Sequence, residues 1–322
     1  MFRLFDNADY DILKKARVAF IGVLVFTIPG LILLGVRGLN LSIEFTGGTL
    51  MELRTLDASI QTQDIRSALA ASGISGAEIQ TFGAPNEFVI RARIDQGGDE
   101  ATETTQQTEQ VIRGALTNAL GPGTFEIERT EAIGPKVGGE LRTRAQLALL
   151  LAFGAIFIFI WFRYEWRFGS AAVLATVSDI FTTIAFISYM HLEISLVVVA
   201  GLLTIIGYSL NDTIVTFDRV RENLRRFRRK NLYEILNRSI NETLPRTILT
   251  SGTTLAATVA LLLLAGKVIS GFAWVMTFGV VTGTMSSIFI ASPILLIVER
   301  RWPGEDVRGA KSLGPSGATV VT

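Results

Sequence analysis

Apolar residues gather into six long runs: 17–36, 145–162, 168–190, 194–217, 247–265 and 271–298. A helix of roughly 20 mostly apolar residues crosses a hydrocarbon core of about 30 Å, so each run predicts a membrane span. The last is over-long, and Pro293 or its glycines predict a bend or an end there. The first is too long for the apolar region of a cleavable signal, and no small-residue cleavage site follows it. Between the first two runs the period changes. TLMELRT from Thr49 alternates like a strand, and Thr62–Ser72 has helical spacing with Ile65, Ala68 and Leu69 on one face. AEIQTF from Ala77 and NEFVIRARI from Asn86 read as strands joined across Gly83-Ala84-Pro85. Glu100–Leu120 reads as a helix burying Val111, Ile112, Ala115 and Leu116, closed by Gly121-Pro122-Gly123, and TFEIERTEAI supplies a final strand. The order βαββαβ is the split βαβ, ferredoxin-like pattern. The expected fold is a polytopic α-helical membrane protein with six transmembrane helices and one external α+β domain between helices 1 and 2.

Charge orients these elements. Lys14, Lys15 and Arg17, Arg163 and Arg167, the segment RVRENLRRFRRK from Arg219, and Arg300 and Arg301 all fall on one side of a chain that crosses six times. Short basic loops mark the cytoplasmic side. This places 1–16 and 299–322 in the cytoplasm, 37–144 outside it, and a basic amphipathic segment, 218–246, inside. Gly38–Glu140 carries 15 acidic and 7 basic residues, so the remainder is distinctly basic. In the basic segment Val220, Leu224 and Phe227 are spaced for a helix lying on the inner membrane surface, arginines toward anionic head groups; docking of a cytoplasmic partner or ribosomal RNA is the sharper alternative. The tail from Gly304 is Gly/Ser-rich and expected to be disordered. The glycine pairs Gly47-Gly48 and Gly138-Gly139 flank the external domain and are expected to let it move.

Composition agrees: 322 residues, mean hydropathy +0.43, and 18% charged residues, against about a quarter in soluble chains. With no Cys and one His, neither disulfides nor zinc chemistry is expected, and no cofactor or metal is implied.

The candidate chemistry lies inside the runs. A charge at membrane depth costs at least about 2.5–3.5 kcal/mol, so it faces a partner or water. Asp179 sits near the middle of the third run, Asp212 in the inner half of the fourth, and Arg246 at the start of the fifth. Asp212 and Arg246 lie at similar depth and are expected to pair. Polar stripes accompany them: Gly201, Thr204, Tyr208, Asp212 and Thr216; Arg246, Thr250, Thr254 and Thr258; Thr176, Asp179 and Thr183; and Thr277, Thr284 and Ser287. Hydroxyls at this spacing also serve ordinary helix packing, as does Gly279-x-x-x-Gly283; an acid is too costly to be filler. Desolvation and an adjacent guanidinium act oppositely on a buried acid, so movement between Asp212 and Arg246 would couple protonation to packing. Tyr208, Asn211, Thr250 and Thr254 would support the path. An aspartyl protease is disfavoured: Gly-Tyr-Ser-Leu-Asn precedes Asp212, no Pro-Ala-Leu element follows, and Arg246 favours full ionisation. A rhomboid-type site lacks a membrane His, because His191 falls at the outer end of the third run.

IEFTGGTLMELR (Ile43–Arg54), IGPKVGGELR (Ile133–Arg142), GYSLNDTIVTFDRVREN (Gly207–Asn223), LPRTILTSGTTLAATVALLLLAG (Leu244–Gly266) and GVVTGTMSSIFIASPILL together resemble the SecF family, within the SecD/SecF branch of the RND superfamily. The resemblance runs from FDNADYDI to Trp302. It implies a non-enzymatic subunit of the bacterial inner membrane that pairs with SecD into a twelve-span assembly. That assembly uses the proton motive force to help unfolded polypeptide leave the SecYEG channel, alongside SecA-driven preprotein delivery, YajC and YidC, without nucleic acid. It places functional groups at Asp212 and Arg246 and a third acid at Asp179. Pro245, beside Arg246, departs from many members. The residues without the resemblance also fit half of an RND-type proton-coupled exporter of lipids or small molecules, although such exporters usually carry both halves in one chain.

Overall fold

The computed structural model describes residues 9–57, 59–74, 77–81, 84–92, 101–227, 230–264 and 266–303. They form two compact units, one of long helices and one comprising Leu41–Ala148 with Ile194–Leu196.

Helix α1 (Ile12–Arg37) belongs to the helical unit. The smaller unit begins with a single turn, α2 (Ile43–Thr46), followed by β1 (Gly48–Thr55), α3 (Thr62–Ala71), β2 (Glu78–Thr81), β3 (Glu87–Ala92), α4 (Ala101–Leu120) and β4 (Phe125–Ile133). All strand pairs are antiparallel, in the order β2-β3-β1-β4. Each helix therefore connects two strands that have a third between them, the split βαβ topology read from the alternation. Alternate residues of β1, Met51 and Leu53, are buried with Ile65 and Leu69 of α3, Ile90 of β3, and Ile112 and Leu116 of α4. The polar residues of β1 carry ion pairs instead: Arg54 with Glu128 at 2.6 Å and Glu87 at 3.2 Å, and Glu52 with Arg129 at 3.7 Å. Gly83, Arg93, Ile94 and Glu100, used in the sequence reading, lie outside the described residues.

The two flanking glycine pairs meet. Gly47 has φ 70° and Gly48 φ 129°, a backbone that L side chains rarely adopt. A Cβ on Gly138 would stand 2.8 Å from the Gly47 backbone nitrogen. The glycines here permit close backbone contact within the unit.

The remaining helices are α5 (Pro135–Arg163), α6 (Trp166–Tyr189), α7 (Leu196–Arg226), α8 (Leu232–Leu264), α9 (Lys267–Ser286), a π-helical turn at Ser287–Ala291, and α10 (Ser292–Arg301). Among the described residues, six helical segments are long and apolar enough to cross a membrane, the last running through the π turn. Several exceed their apolar runs. α5 begins ten residues before residue 145, at Pro135, a favoured helix-starting residue. Pro245 sits inside α8 and does not end it.

The segment 218–246 is not a separate helix lying flat beneath the bundle. Its first half continues α7 and its second half opens α8. Val220 and Leu224 are buried with Ile235, Leu236 and Ile240 of α8 in the helical core. Two residues of that apolar stripe, Val220 and Leu224, thus find their cover on the neighbouring helix. Arg238 lies over the Phe227 ring, 4.3 Å from its centroid. The over-long last run keeps helical backbone throughout; its irregularity is the π turn just before Pro293. The tail from Gly304 lies outside the described residues.

Two polar clasps tie the helices at one end of the bundle. Asn241 of α8 accepts from the Tyr10 N–H (2.9 Å) and donates to the Tyr10 carbonyl (2.8 Å), and Asn237 accepts from the Ile12 N–H at 2.8 Å. These contacts satisfy donors that the start of α1 leaves open. Glu299 of α10, whose side chain is 1% exposed, accepts from Arg167 Nε of α6 at 2.9 Å.

Candidate functional site: two buried carboxyls on α7 and α6

Helix α7 is amphipathic within the bundle, burying Ile205, Ser209, Asp212, Thr213 and Thr216 among others. Its approach to α9 is set by small residues. A Cβ on Gly279 would fall 2.1 Å from Ile205 Cδ1, and one on Gly283 would fall 3.1 Å from Ser209 Cβ. The Gly-x-x-x-Gly spacing seen in the sequence is therefore the α7–α9 contact.

Close packing brings hydroxyls onto Asp212, which is 4% exposed. Ser251 of α8 donates to Asp212 Oδ2 at 3.4 Å. Tyr208 donates to Ser251 Oγ at 3.1 Å, and Thr284 of α9 reaches the same oxygen at 2.7 Å. A serine hydroxyl has one proton and two lone pairs. When Tyr208 and Thr284 both donate to it, the Ser251 proton is directed to Asp212. Thr284 Oγ1 also lies 2.7 Å from the Val280 carbonyl. Its single proton can serve either acceptor, so this small network has two arrangements.

A second acid lies one helical turn away. Asp179 of α6, 3% exposed, accepts from Ser209, three residues before Asp212 on α7. Thr183 donates to the Asp179 carbonyl at 2.8 Å and Thr213 to the Ser209 carbonyl at 3.2 Å. Asp179 also lines a cavity of about 390 Å³ between α1, α6, α9 and the π turn.

Toward the α7–α8 connection the polar seam continues. Thr216 and Thr243 hydroxyls are 3.5 Å apart, Arg219 Nε donates to Glu242 at 2.6 Å, and Asn223 Nδ2 donates to Ser239 Oγ at 3.0 Å and Glu242 at 2.8 Å.

The structure thus gathers part of the expected set. Asp212 and Tyr208 share one network, and Asp179 is its neighbour. Arg246 is exposed on α8 and makes no ion pair with Asp212 within 4 Å; its charge acts on the carboxyl through space, and Ser251 makes the direct contact. Asn211 is exposed and takes no hydrogen bond in the network. Thr250 and Thr254 donate to the carbonyls of Arg246 and Thr250, at 3.0 and 2.9 Å, four residues back on their own helix. The inward face of α8 is Thr247, Ser251 and Thr258, all buried. Thr258 belongs to the stripe read from the sequence, whereas Thr247 and Ser251 stand one residue, or about 100°, from Arg246 and Thr250. Ser209 and Ser251, the direct partners of the acids, went unread. Gly283, opposite Ser209, was the available signal for the first; the four-residue step from Thr247 was the signal for the second. Among the described residues no group of three or more His, Cys, Asp or Glu side chains could hold a metal ion.

Known proteins share this arrangement of chain. The family described as "Protein export membrane protein SecD/SecF, C-terminal" matches residues 112–301, and "SecD/SecF GG Motif" matches residues 32–55. The protein translocase subunit SecF of Gemmatimonas aurantiaca is 50% identical over 325 residues, covering 100% of this chain and 97% of that protein. The SecF of Rickettsia rickettsii is 38% identical over 300 residues, covering 93% and 95%. Among solved structures, SecDF of Thermus thermophilus, described as a translocon-associated membrane protein, superposes with TM-score 0.79 and 33% identity, covering 94% of this chain and 40% of that one. A SecDF in its super-membrane-facing form gives TM-score 0.66 at 33% identity, covering 97% and 41%. The chain spans about two fifths of the length of these SecDF chains.

Proposed function

The chain belongs to the SecD/SecF family of protein export membrane proteins, and from that premise we propose that it is a proton-coupled SecF subunit. In this reading it pairs with SecD in the bacterial inner membrane, both termini cytoplasmic and the α/β unit outside. It uses the proton motive force to assist late translocation of unfolded polypeptide through SecYEG, with SecA, YajC and YidC as neighbours in the pathway.

The observation that carries the reading is Asp212: a carboxyl 4% exposed inside the bundle, held by Ser251, whose hydroxyl Tyr208 and Thr284 also reach. An acid at membrane depth is costly and is kept for function. Its proton exchange follows the distance to Arg246. In the arrangement described here Ser251 holds the carboxyl and the guanidinium stands off; a shift of α8 along α7 would exchange one partner for the other. Tyr208 and Thr284 relay the proton through Ser251, Asp179 and Ser209 form an adjoining station, and Asn211, Thr250 and Thr254 line the route when α8 moves. Arg246, exposed on α8, supports a partner there, because a charge at that depth needs cover.

Export into inverted membrane vesicles, with and without an imposed proton gradient, tests this. Asp212→Asn keeps shape and hydrogen bonding but cannot titrate. It is expected to assemble with SecD, retain the ATP-driven step and lose the stimulation by the gradient. A variant that responds to the gradient as strongly as the unaltered protein would make Asp212 structural and end the proposal.

A further inference from the structure

The cavity of about 390 Å³ beside Asp179 lies outside the Asp212 network. Its size is within the usual range for small-ligand sites, about 300–1,000 Å³. It exists because α1 and α6 are clamped at one level and splay at another. Near Gly30 the contact is tight: a Cβ there would meet Ala185 Cβ at 2.4 Å. Thr27 and Thr182 share a hydrogen bond of 2.9 Å at the next turn. At Gly22 a Cβ would meet nothing within 4 Å.

The lining is chemically lopsided. Phe26, Phe278 and Phe289 give aromatic walls, and Asp179 is its one charged side chain. Ser286 also lines it; the residue is 1% exposed and its hydroxyl stands beside the Asp179 carboxyl. Val281 and Met285, 43% and 53% exposed, lie at its rim. Both are apolar, so an occupant that enters past them is itself largely apolar. Carboxylate and aromatic faces both attract cations, and neither favours an anion.

We propose that the cavity between α1, α6 and α9 is a binding site for a lipophilic amine, its ammonium group on Asp179 and Ser286 and its apolar body among the phenylalanines. Asp179 is also the adjoining station of the proposed relay, but binding at the cavity is read without export and stands or falls separately from that reading. The occupant would wedge α1 away from α9 and contact the acid that bonds to Ser209 of α7. Occupancy would thereby reach the helix that carries Asp212.

The test is equilibrium binding of a phenylalkylamine and its neutral phenylalkanol to the chain in lipid nanodiscs, against empty nanodiscs. The amine is expected to bind saturably at one site and about tenfold or more tighter than the alkanol, the size of a charge-assisted hydrogen bond. Asp179→Asn should bring the two ligands to equal affinity. Gly22→Leu, which fills open space, should abolish both, whereas Gly35→Leu, on the same helix with equally open space but outside the cavity, should abolish neither. Ala19→Leu is the second filling variant should Gly22→Leu fail to fold. Binding no greater than to empty nanodiscs, or unaffected by filling the cavity, would overturn the site. Equal binding of amine and alkanol to the unaltered chain would overturn its cation preference.

Discussion

Substituting Gly279 by Ala tests the packing that assembles the Asp212 network. The added Cβ would stand 2.1, 2.5 and 3.0 Å from Ile205 Cδ1, Cγ1 and Cγ2. Ile205 is 1% exposed, and a β-branched side chain in a helix is held near one χ1 rotamer. It cannot swing clear. Overpacking of this kind costs about 1–3 kcal/mol, and the short distance argues for the upper end. Replacing Gly by Ala inside a helix returns about 1 kcal/mol. The net expectation is a loss of about 2 kcal/mol. Ile205→Ala alone should lose about 2–4 kcal/mol, through vanished contacts and the void left behind. In the double variant all three offending atoms are absent, and the new methyl occupies part of the void. Its destabilisation should fall about 2–3 kcal/mol short of the sum. Detergent-driven unfolding in mixed micelles, followed by circular dichroism, gives the four free energies of the cycle. Additivity within about 0.5 kcal/mol, the behaviour of sites that do not touch, would refute the α7–α9 contact. The network is then held together some other way.

Three further outcomes are expected. Arg167→Met removes the guanidinium that Glu299 accepts from and should destabilise the bundle by about 1.5–3 kcal/mol, the loss of a hydrogen bond to a charged group, read by the same unfolding assay; an unchanged midpoint would show the pair to be dispensable. Asn237→Ala and Asn241→Ala should accelerate amide exchange at Ile12 and Tyr10, respectively, by about tenfold or less, the loss of one cap at about 1 kcal/mol, with each effect confined to its own partner. Tyr164, buried beside Asp218, has its phenol pushed up to about 12, by burial first and by the neighbouring carboxylate second. Because the folded protein favours the neutral phenol, the stability this contributes is complete below the ordinary tyrosine range near 10 and is lost as pH rises through about 12. Ultraviolet titration should lose one late phenolate in Tyr164→Phe, and the loss of a phenolate titrating at the ordinary value instead would contradict this environment.

The parts of this molecule that could be read from the sequence are those set by strong periodic forces. Six apolar runs become six long helices, and alternation in Thr49–Thr55 becomes the buried Met51 and Leu53 of β1. The buried position of Asp179 and Asp212 follows from their neighbours. What escaped the reading depends on rotation by a single residue. Ser251 and Thr250 have similar chemistry, yet only Ser251 faces α7, because the azimuth of α8 is set by tertiary contacts. The arginine-rich segment from Arg219 looked like a membrane-surface helix because its apolar stripe had no visible partner. Ile235, Leu236 and Ile240 supply it only once the chain turns back. Arg246 carried an expectation of pairing from depth alone, and depth says nothing of which way a side chain faces.

The π turn at Ser287–Ala291 has a consequence for the last helix as a machine part. One residue more than an α-helix would use stands in that turn, which ends two residues before Pro293, a residue with no N–H to give. Each α-helical residue advances the azimuth by about 100°. The surplus residue is thus a stored twist between the half that grips Ile205 through Gly279 and the half that presents Glu299 to Arg167. Deleting one residue there would force one grip to let go. Were the surplus to migrate along the helix, the stretch it crosses would screw about its own axis while both anchored ends kept their hold.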